Sequence, residues 1–300
     1  MKIPHPIPYQ GSKRNLASQI LRFFPDDTQR LVEPFAGSAA ISIASAFYFK
    51  ADNFWINDIN EPLIKLWEKI INSPEFIIKK YHDIWFEQIG KEEEHYYKIR
   101  SLFNETHKPE YLLFLLAKCV KAAVRYNSSG EFNQSPDKRR KGRRPENMRG
   151  DILRVSQLLK NKTKITSLSY ENLIDKLNSN DLVYLDPPYQ GTGKNGGFRY
   201  FEDVKFDDFI TSLFLLNKKQ IPFILSYDGR TGNKVFGKPL PKELNLTKLE
   251  LDAGRSSTAT LHKRKQNTFE ALYLSKDIAE KVSIDEILNP TQVTTPTLFD

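Results

Sequence analysis

Apolar positions along the chain form two patterns: short continuous runs, typical of buried strands, and a helical period, typical of amphipathic helices. Short runs rich in β-branched and aromatic residues predict strands at residues 30–32, 54–57, 164–168, 182–185 and 222–226. Apolar residues spaced by three and four predict helices at residues 15–24, 39–49, 147–160 and 206–216. Residues 249–253 and 268–274 predict a closing antiparallel pair of strands. This alternation indicates an α/β protein whose sheet is mostly parallel with a mixed edge.

Residues 61–124 carry helical periodicity throughout and no strand pattern. A helical block of this length exceeds a single strand-to-strand crossover, so it predicts an inserted lobe after which the sheet resumes. Cys119, the one cysteine of the chain, lies in this block and is interpreted as a core residue.

The strand predicted at residues 182–185 ends in Asp186-Pro187-Pro188-Tyr189. Ligands of open α/β sheets bind outside the carboxyl ends of the strands, so a carboxylate, two prolines and an aromatic ring at this point indicate a site. A proline-rich turn without any function would have the same composition, because X-Pro dipeptides commonly end strands. The motif by itself leaves both interpretations open.

Two other strand ends carry residues suited to a nucleotide. Gly37 follows the first strand, where it would let the backbone approach a ligand, and the helix that comes next would offer free N–H groups. Asp58 ends the second strand, about 20 residues after the glycine, where an acidic residue commonly binds ribose hydroxyls. The alternative for Asp58 is an N-cap or Asx turn for the helix that begins near Glu61.

Two further glycine-containing stretches need an interpretation. Residues 9–13, with the sequence Tyr-Gln-Gly-Ser-Lys, precede a predicted helix and could hold an anion or simply start a surface helix. Residues 191–196 match the dinucleotide glycine pattern formally, but aromatic residues follow instead of a helix. We therefore interpret residues 191–196 as a mobile loop that closes on a substrate.

Charge favours a polyanionic partner. The net charge is +8, and six of the seven residues from 138 to 144 are cationic. Cations this dense suit phosphate oxygens, although a charge run can also be a solvated face or a disordered arm. Arginine and asparagine in the preceding loop or hairpin could read base edges. The predicted DNA-binding residues are Arg125, Tyr126, Asn127, Asn133, Lys138, Arg139, Arg140, Lys141, Arg143 and Arg144.

Composition narrows the remaining possibilities. No apolar run reaches the roughly 18 residues of a membrane span, and the N-terminus lacks the apolar core of a signal peptide. We therefore expect a cytoplasmic protein that has no membrane partner. We also expect the protein to act as a monomer. The five histidines show no metal-ligand spacing, so no catalytic metal is predicted.

Five separated blocks of the sequence together resemble the Dam-type DNA adenine-N6 methyltransferases, the D12 class or alpha group. The blocks are residues 9–13, 33–37, 57–60, 125–133 and 186–189, and their order matches that of the family. The resemblance implies a Rossmann-like class I methyltransferase sheet with helices on both faces, plus an inserted mainly helical target-recognition domain. It places the target-recognition domain at residues 67–150 and a discontinuous catalytic domain at residues 1–66 and 151–300.

The resemblance also implies roles for individual residues. It makes Asp186, Pro187, Pro188 and Tyr189 catalytic. It assigns S-adenosylmethionine as the cofactor, held by Tyr9, Lys13, Phe35, Ala36, Gly37, Ser38, Asp58, Ile59, Ser169, Tyr170 and Asp186. Two positions depart from the family pattern: Ala39 stands where many members have a second glycine, and Tyr9 stands where some have tryptophan.

The resemblance implies methylation of adenine N6 in a short sequence of double-stranded DNA. The expected mechanism is base flipping followed by direct transfer of the methyl group. A cognate restriction endonuclease that acts separately is a compatible partner. The alternatives are methylation of RNA adenine, of cytosine N4 or of a protein amide at a related motif, and a DNA-binding module without catalysis. Cytosine C5 chemistry is disfavoured because it needs a cysteine nucleophile, usually after a proline, and Cys119 follows Lys118.

Overall fold

The computed structural model of the chain describes residues 2–188, 204–231, 234–236, 238–255 and 267–288. Tyr189, the glycine-containing residues 191–196 and the C-terminal tail lie outside the described residues. Predictions that concern them therefore stay predictions.

The described strands form one mixed sheet. They are β1 Arg30–Glu33, β2 Asn53–Asn57, β3 Thr163–Thr166, β4 Asp181–Leu185, β5 Phe223–Thr231, β6 Lys234–Phe236, β7 Thr247–Arg255 and β8 Asn267–Leu274. Their order is β3-β2-β1-β4-β5-β8-β7, with β6 paired to β5. Strands β1 to β5 run parallel, whereas β8 is antiparallel to both β5 and β7. The prediction of a mostly parallel sheet with a mixed edge is confirmed.

Both faces of the sheet are buried, because successive side chains of a strand point to opposite faces and the side chains on both faces are apolar. Leu31, Phe54 and Leu182 point into one apolar cluster, and their chain neighbours Val32 and Val183 point into another on the opposite face. Such continuous apolar runs are typical of parallel strands that are covered by helices on both sides.

The described helices are α1 Ala17–Ile20, α2 Ala40–Phe47, α3 Glu61–Asn72, α4 Pro74–Glu87, α5 Glu92–Thr106, α6 Pro109–Lys118, α7 Pro145–Leu159, α8 Tyr170–Ile174, α9 Phe206–Lys218, α10 Lys276–Lys281 and α11 Ile284–Leu288. Proline occupies one of the first two positions of α3, α4, α6 and α7, where its missing N–H leaves no helical bond unmade. Helices α3 to α7 lie between β2 and β3 in the chain. Helices α3 to α6 lie in the predicted helical block, and α7 is the helix predicted at residues 147–160. The domain boundaries at residues 67 and 150 stay a prediction. None of the helices in the described ranges is both long and apolar enough to cross a membrane.

Two helix predictions are wrong in detail. Residues 15–24 do not form one helix, because α1 lies between two 3-10 turns, Lys13–Asn15 and Leu21–Phe23. The helical block ends at Lys118 rather than at residue 124, because the next residue, Cys119, is extended, with ψ 160°. Lys121 and Ala122 then have φ angles of 58° and 50°. Backbone in this left-handed region cannot continue a right-handed helix.

Candidate functional site

A cavity of about 330 Å³ lies at the carboxyl ends of β1 and β4. These two strands are neighbours in the sheet but not in sequence, and such a switch point is where α/β sheets bind their ligands. All of the residues predicted to hold the cofactor line this cavity: Tyr9, Lys13, Phe35, Ala36, Gly37, Ser38, Asp58, Ile59, Ser169, Tyr170 and Asp186. Pro187 and Pro188 line it too, so the described part of the Asp-Pro-Pro-Tyr motif shares one cavity with the glycine turn.

Gly37 is required by the shape of the turn after β1. Its φ angle is +50°, and a Cβ at this position would lie 3.1 Å from Cε1 of Tyr9. Its carbonyl oxygen accepts a hydrogen bond from the indole nitrogen of Trp67 at 2.9 Å, which fixes the turn against α3. Ala39 also lies in the left-handed region, with φ 47°, so the alanine at the family's second glycine position holds a conformation that glycine adopts more easily.

Asp58 stabilises the glycine turn directly. Its Oδ2 accepts a hydrogen bond from the backbone N–H of Gly37 at 2.9 Å, and its Oδ1 accepts one from Asn60 N–H at 3.0 Å. Burial raises the pKa of the carboxyl, while the two backbone hydrogen bonds lower it. The N-cap of α3 is Asn60, so Asp58 is not the N-cap, but the bond from Asn60 N–H to Asp58 Oδ1 spans two residues and forms the Asx turn that was the other alternative. Because each carboxylate oxygen has two acceptor sites, Asp58 can still accept from a ligand hydroxyl.

Lys13 and Asp186 form a buried ion pair in the wall of the cavity. Lys13 Nζ lies 2.7 Å from Asp186 Oδ1 and 3.2 Å from Glu270 Oε1. Burial alone would lower the pKa of Lys13, but the Asp186 and Glu270 carboxylates raise it, so the ammonium stays charged. The lysine of the Gly-Ser-Lys turn is therefore held by protein carboxylates in this structure, and the helix that it would open is only a single 3-10 turn.

Burial is the largest cause of the raised pKa of two acids in the cavity, Asp186 and Glu33. It raises the pKa of Asp186 to about 6, with Lys13 acting against the shift and Glu270 in favour of it. It raises the pKa of Glu33, the last residue of β1, to about 7, although Ser42 donates a backbone hydrogen bond of 2.9 Å to this carboxyl. Groups that titrate this close to neutrality are suited to proton transfer at physiological pH.

An aromatic wall faces the same cavity. The rings of Phe35 and Tyr170 lie 5.2 Å apart between centroids. Ser169 is the N-cap of α8, and its side chain accepts from the backbone N–H of Asn172. An aromatic surface beside a polar helix start can receive a flat heteroaromatic ring and bond its edge.

Sequence reasoning missed three residues of the site. Glu33 lines the cavity, and its place beside the glycine turn could have identified it. Asn57 fixes the loops around the cavity from the buried end of β2, where an amide is an unusual choice. Glu270 belongs to the distant strand β8, and no pattern near it indicates a site.

Residues 125–133, predicted as a loop or hairpin, form a hairpin that is closed by an isolated bridge between Tyr126 and Phe132. Tyr126 is 4% exposed, and its hydroxyl lies 3.3 Å from the Asn60 side chain, so its ring belongs to the interior. The Asn127 side chain bonds Glu131 within the hairpin. Arg125 and Asn133 are exposed. DNA contact by these four residues stays a prediction.

Five of the six basic residues at 138–144 are paired with carboxylates. Lys138 pairs with Glu93, Arg139 and Arg140 with Asp137, Lys141 with Glu92, and Arg143 with Asp151. The segment is thus ordered against α5 and α7. Its positive charge toward a partner is smaller than the sequence indicates, and its contact with phosphates stays a prediction.

The strand order and the switch-point cavity define an α/β Rossmann-like protein with a methyltransferase-type sheet. Residues 9–286 match the model of the D12 class N6 adenine-specific DNA methyltransferases, and the chain belongs to this family.

Known methylases share part of this sequence. The retron Ec67 DNA adenine methylase of Escherichia coli is 32% identical over 61% of this chain and 63% of its own length. The modification methylase StsI of Streptococcus sanguinis is 27% identical over 91% of this chain and 43% of its own length. A DNA adenine methylase of Haemophilus influenzae is 26% identical over 66% of this chain and 68% of its own length. The chain thus spans less than two thirds of the first two relatives.

Proposed function

We propose that this chain transfers a methyl group from S-adenosylmethionine to N6 of adenine in a short sequence of double-stranded DNA. The supporting observation is the single cavity in which Asp186 of the Asp-Pro-Pro-Tyr motif lies with the Gly37 turn and Asp58. A hydrogen-bond acceptor for an amine and a nucleotide pocket are the two components that methylation of a base amine needs. The relatives are named DNA adenine or modification methylases, and these names support the same substrate.

The residues of the cavity fit S-adenosylmethionine. The carboxylate of Asp58 can accept from ribose hydroxyls, and Phe35 with Tyr170 offers a surface for the adenine ring. Gly37 leaves open the space that a Cβ would fill. When bound, S-adenosylmethionine supplies an electrophilic methyl group on a sulfonium.

Asp186 has the central role in activating the substrate amine. The lone pair of adenine N6 is delocalised into the ring, so the amine is a poor nucleophile. The Asp186 carboxylate and the Pro187 carbonyl each accept one N6–H bond, which draws the nitrogen toward tetrahedral geometry and localises its lone pair. Because the pKa of Asp186 is raised to about 6, its carboxylate is also basic enough to take the proton that N6 releases.

The remaining roles concern the DNA. An enzyme that modifies a base inside a duplex extrudes it into its pocket, and Tyr189 directly follows Pro188, so we expect its ring to stack on the extruded adenine. Residues 125–144 would hold the duplex beside the cavity. Base contacts there set the sequence, and phosphate contacts set the position.

The test is transfer of labelled methyl from S-adenosylmethionine to unmethylated duplex DNA, followed by nucleoside analysis. We expect N6-methyladenine confined to one short sequence. Asp186→Ala should fold and bind the methyl donor but lose transfer by at least about a hundredfold. The control Asp175→Ala removes an exposed aspartate after α8 and should be fully active.

Three results would contradict the proposal in different ways. Donor binding without label in DNA would redirect the search to RNA or protein substrates. Absence of donor binding would exclude the methyltransferase function. Unchanged transfer by Asp186→Ala would remove Asp186 from the mechanism while leaving the substrate assignment in place.

A further inference from the structure

Two carboxylates from distant parts of the chain lie beside the buried ammonium group of Lys13. Lys13 follows the N-terminal Gly-Ser turn, Asp186 follows β4, and Glu270 lies within β8. The Lys13 ammonium is 2.7 Å from Asp186 and 3.2 Å from Glu270. The lysine side chain is 7% exposed and that of Glu270 is 13% exposed, so water screens this cluster weakly. Glu270 thus brings the antiparallel edge of the sheet into contact with the site.

We propose that Glu270 is a positioning residue for methyl transfer: its carboxylate shares the Lys13 ammonium with Asp186 and so keeps Asp186 available to accept the hydrogen bonds of the substrate amine. This inference rests on the proposed function. It assigns to Glu270 an action through Lys13 and Asp186, without contact with the base.

The geometry gives the reason for a second carboxylate. An ammonium group donates three hydrogen bonds, and a buried ammonium must be paired. If Asp186 were the sole carboxylate beside Lys13, the strong charge-assisted hydrogen bond from Lys13 would draw electron density from Asp186 alone and make it a weaker acceptor for the incoming amine. With Glu270 Oε1 at 3.2 Å, Lys13 can move toward Glu270 when the amine binds and stay paired throughout.

The surrounding charges support the same division of roles. The Asp186 carboxylate interacts electrostatically with Lys13, Glu270, Glu33 and Tyr184. The Glu270 carboxylate interacts electrostatically with Lys13, with Tyr184 and with Asp228, which lies in β5. Because Glu270 raises the pKa of Asp186, it makes the Asp186 carboxylate a stronger acceptor than it would be beside Lys13 alone.

Glu270→Gln tests the proposal, because it keeps the shape of the side chain and removes its charge. We expect kcat to fall about tenfold while KM for S-adenosylmethionine changes by less than about twofold. In the pH profile of kcat, the rise on the acidic side (the acid limb) should move to lower pH by roughly one unit. The reason is that loss of a neighbouring negative charge favours the ionised form of Asp186. In the ligand-free protein, the carboxyl ¹³C resonance of Asp186, assigned by its loss in Asp186→Asn, should titrate at correspondingly lower pH.

Two further variants make the result specific. Glu270→Asp keeps the charge but shortens the side chain, so its acid limb should stay near the wild-type pH while kcat recovers only in part. Glu280→Gln removes a negative charge from an exposed pair with Lys276 and should change neither quantity. If Glu270→Gln does not fold, Glu270→Asp decides: reduced kcat with an unmoved limb supports the proposal, and wild-type kcat overturns it.

Failure of this inference is distinguishable from failure of the proposed function. Wild-type methylation of DNA together with an unmoved acid limb and an unmoved ¹³C titration in Glu270→Gln would overturn the role of Glu270 alone. Absence of DNA methylation by the wild-type chain would overturn the proposed function, and this inference would fall with it.

Discussion

At the scale of single residues, the cavity is dominated by acids that burial makes hard to ionise. Glu33, Asp58 and Asp186 all have a raised pKa, and burial is the largest cause for each. A cavity that holds such groups costs stability, which proteins commonly tolerate at functional sites. Lys13 offsets part of this cost next to Asp186.

Glu33→Gln should change the pH dependence of stability. The folded-state pKa of Glu33 is about 7 against an ordinary value of 4.5, so between these values the folded protein holds a proton that the unfolded chain has released. The free energy of unfolding contributed by Glu33 is therefore fully present below the lower value and is lost as pH rises through 7. Glutamine should abolish this loss, about 1–3 kcal/mol, in denaturant titrations from pH 4.5 to 8.

Glu146→Gln is the control for this experiment, because Glu146 is exposed in α7. Its pH profile of stability should overlay that of the wild type. If the profiles of Glu33→Gln and the wild type were parallel, Glu33 would not carry the proton that its burial implies.

Gly37→Ala should damage the cavity and the backbone together. The added Cβ would lie 3.1 Å from the Tyr9 ring in a residue with φ +50°. We expect a loss of about 1–2 kcal/mol in stability and at least a tenfold weaker affinity for S-adenosylmethionine by calorimetry.

Gly90→Ala separates these two effects. Gly90 has φ +83°, yet a Cβ there would meet nothing within 4 Å. This variant should lose a similar amount of stability and keep its affinity for the methyl donor. Equal affinities of the two variants would mean that the space above Gly37 is not used by the ligand.

At the scale of secondary-structure elements, Asn57 connects the ends of three strands. Its amide nitrogen donates to the carbonyl oxygens of Pro34 and Leu168, at 3.0 and 2.9 Å. Its amide oxygen accepts from the Thr166 hydroxyl and from Leu168 N–H, at 2.8 and 2.9 Å. This one side chain therefore holds the turn after β1 and the loop after β3 at the same edge of the sheet, where the cavity forms.

Asn57→Ala should leave buried carbonyl and N–H groups without partners. We expect a loss of roughly 2–4 kcal/mol in the free energy of unfolding. Affinity for S-adenosylmethionine should fall as well, since both loops line its proposed pocket. Asn53→Ala, at the exposed start of the same strand, should change stability by less than about 0.5 kcal/mol in the same denaturant titration. A loss at Asn57 no larger than this would show that the loops hold their positions without it.

At the scale of the whole molecule, surface charge is distributed by ion pairs. Arg143 bonds Asp151 and the backbone carbonyl of His5, so it ties the N-terminal segment to α7. Lys138 and Arg139 are 71% and 89% exposed despite their pairing. Within the described part of the chain, Arg144 makes no ion pair. The exposed cations are therefore the ones suited to phosphate, and Arg143 has a structural role.

Replacing Lys138, Arg139 and Arg144 by glutamine should weaken binding to all duplexes about equally. If each residue contacts one phosphate, the slope of log affinity against log salt should fall by up to about three, as measured by fluorescence anisotropy. Arg143→Gln should instead cost stability, roughly 1–3 kcal/mol, and change the slope little. Loss of binding on one sequence only would identify the three residues as base readers.

The sequence alone determined the parallel strands, the glycine turn and the acidic strand ends. The reason is local: a short continuous apolar run specifies a buried strand, and parallel strands place their carboxyl ends on one edge, so Gly37, Asp58 and Asp186 had to lie close together. Helix boundaries were less accurate. Residues such as Lys121 and Ala122 take left-handed backbone angles that nothing in their own side chains requires.

Only the tertiary structure decided which distant charges meet. Glu270 reaches Lys13 because the antiparallel return of β8 pairs it with Gly229 of β5, beside the strand that carries Asp186. The cations at 138–141 lose part of their free charge because α5 places Glu92 and Glu93 next to them. Such pairings depend on strand register and helix packing across many residues, so the sequence near each charged residue does not predict them.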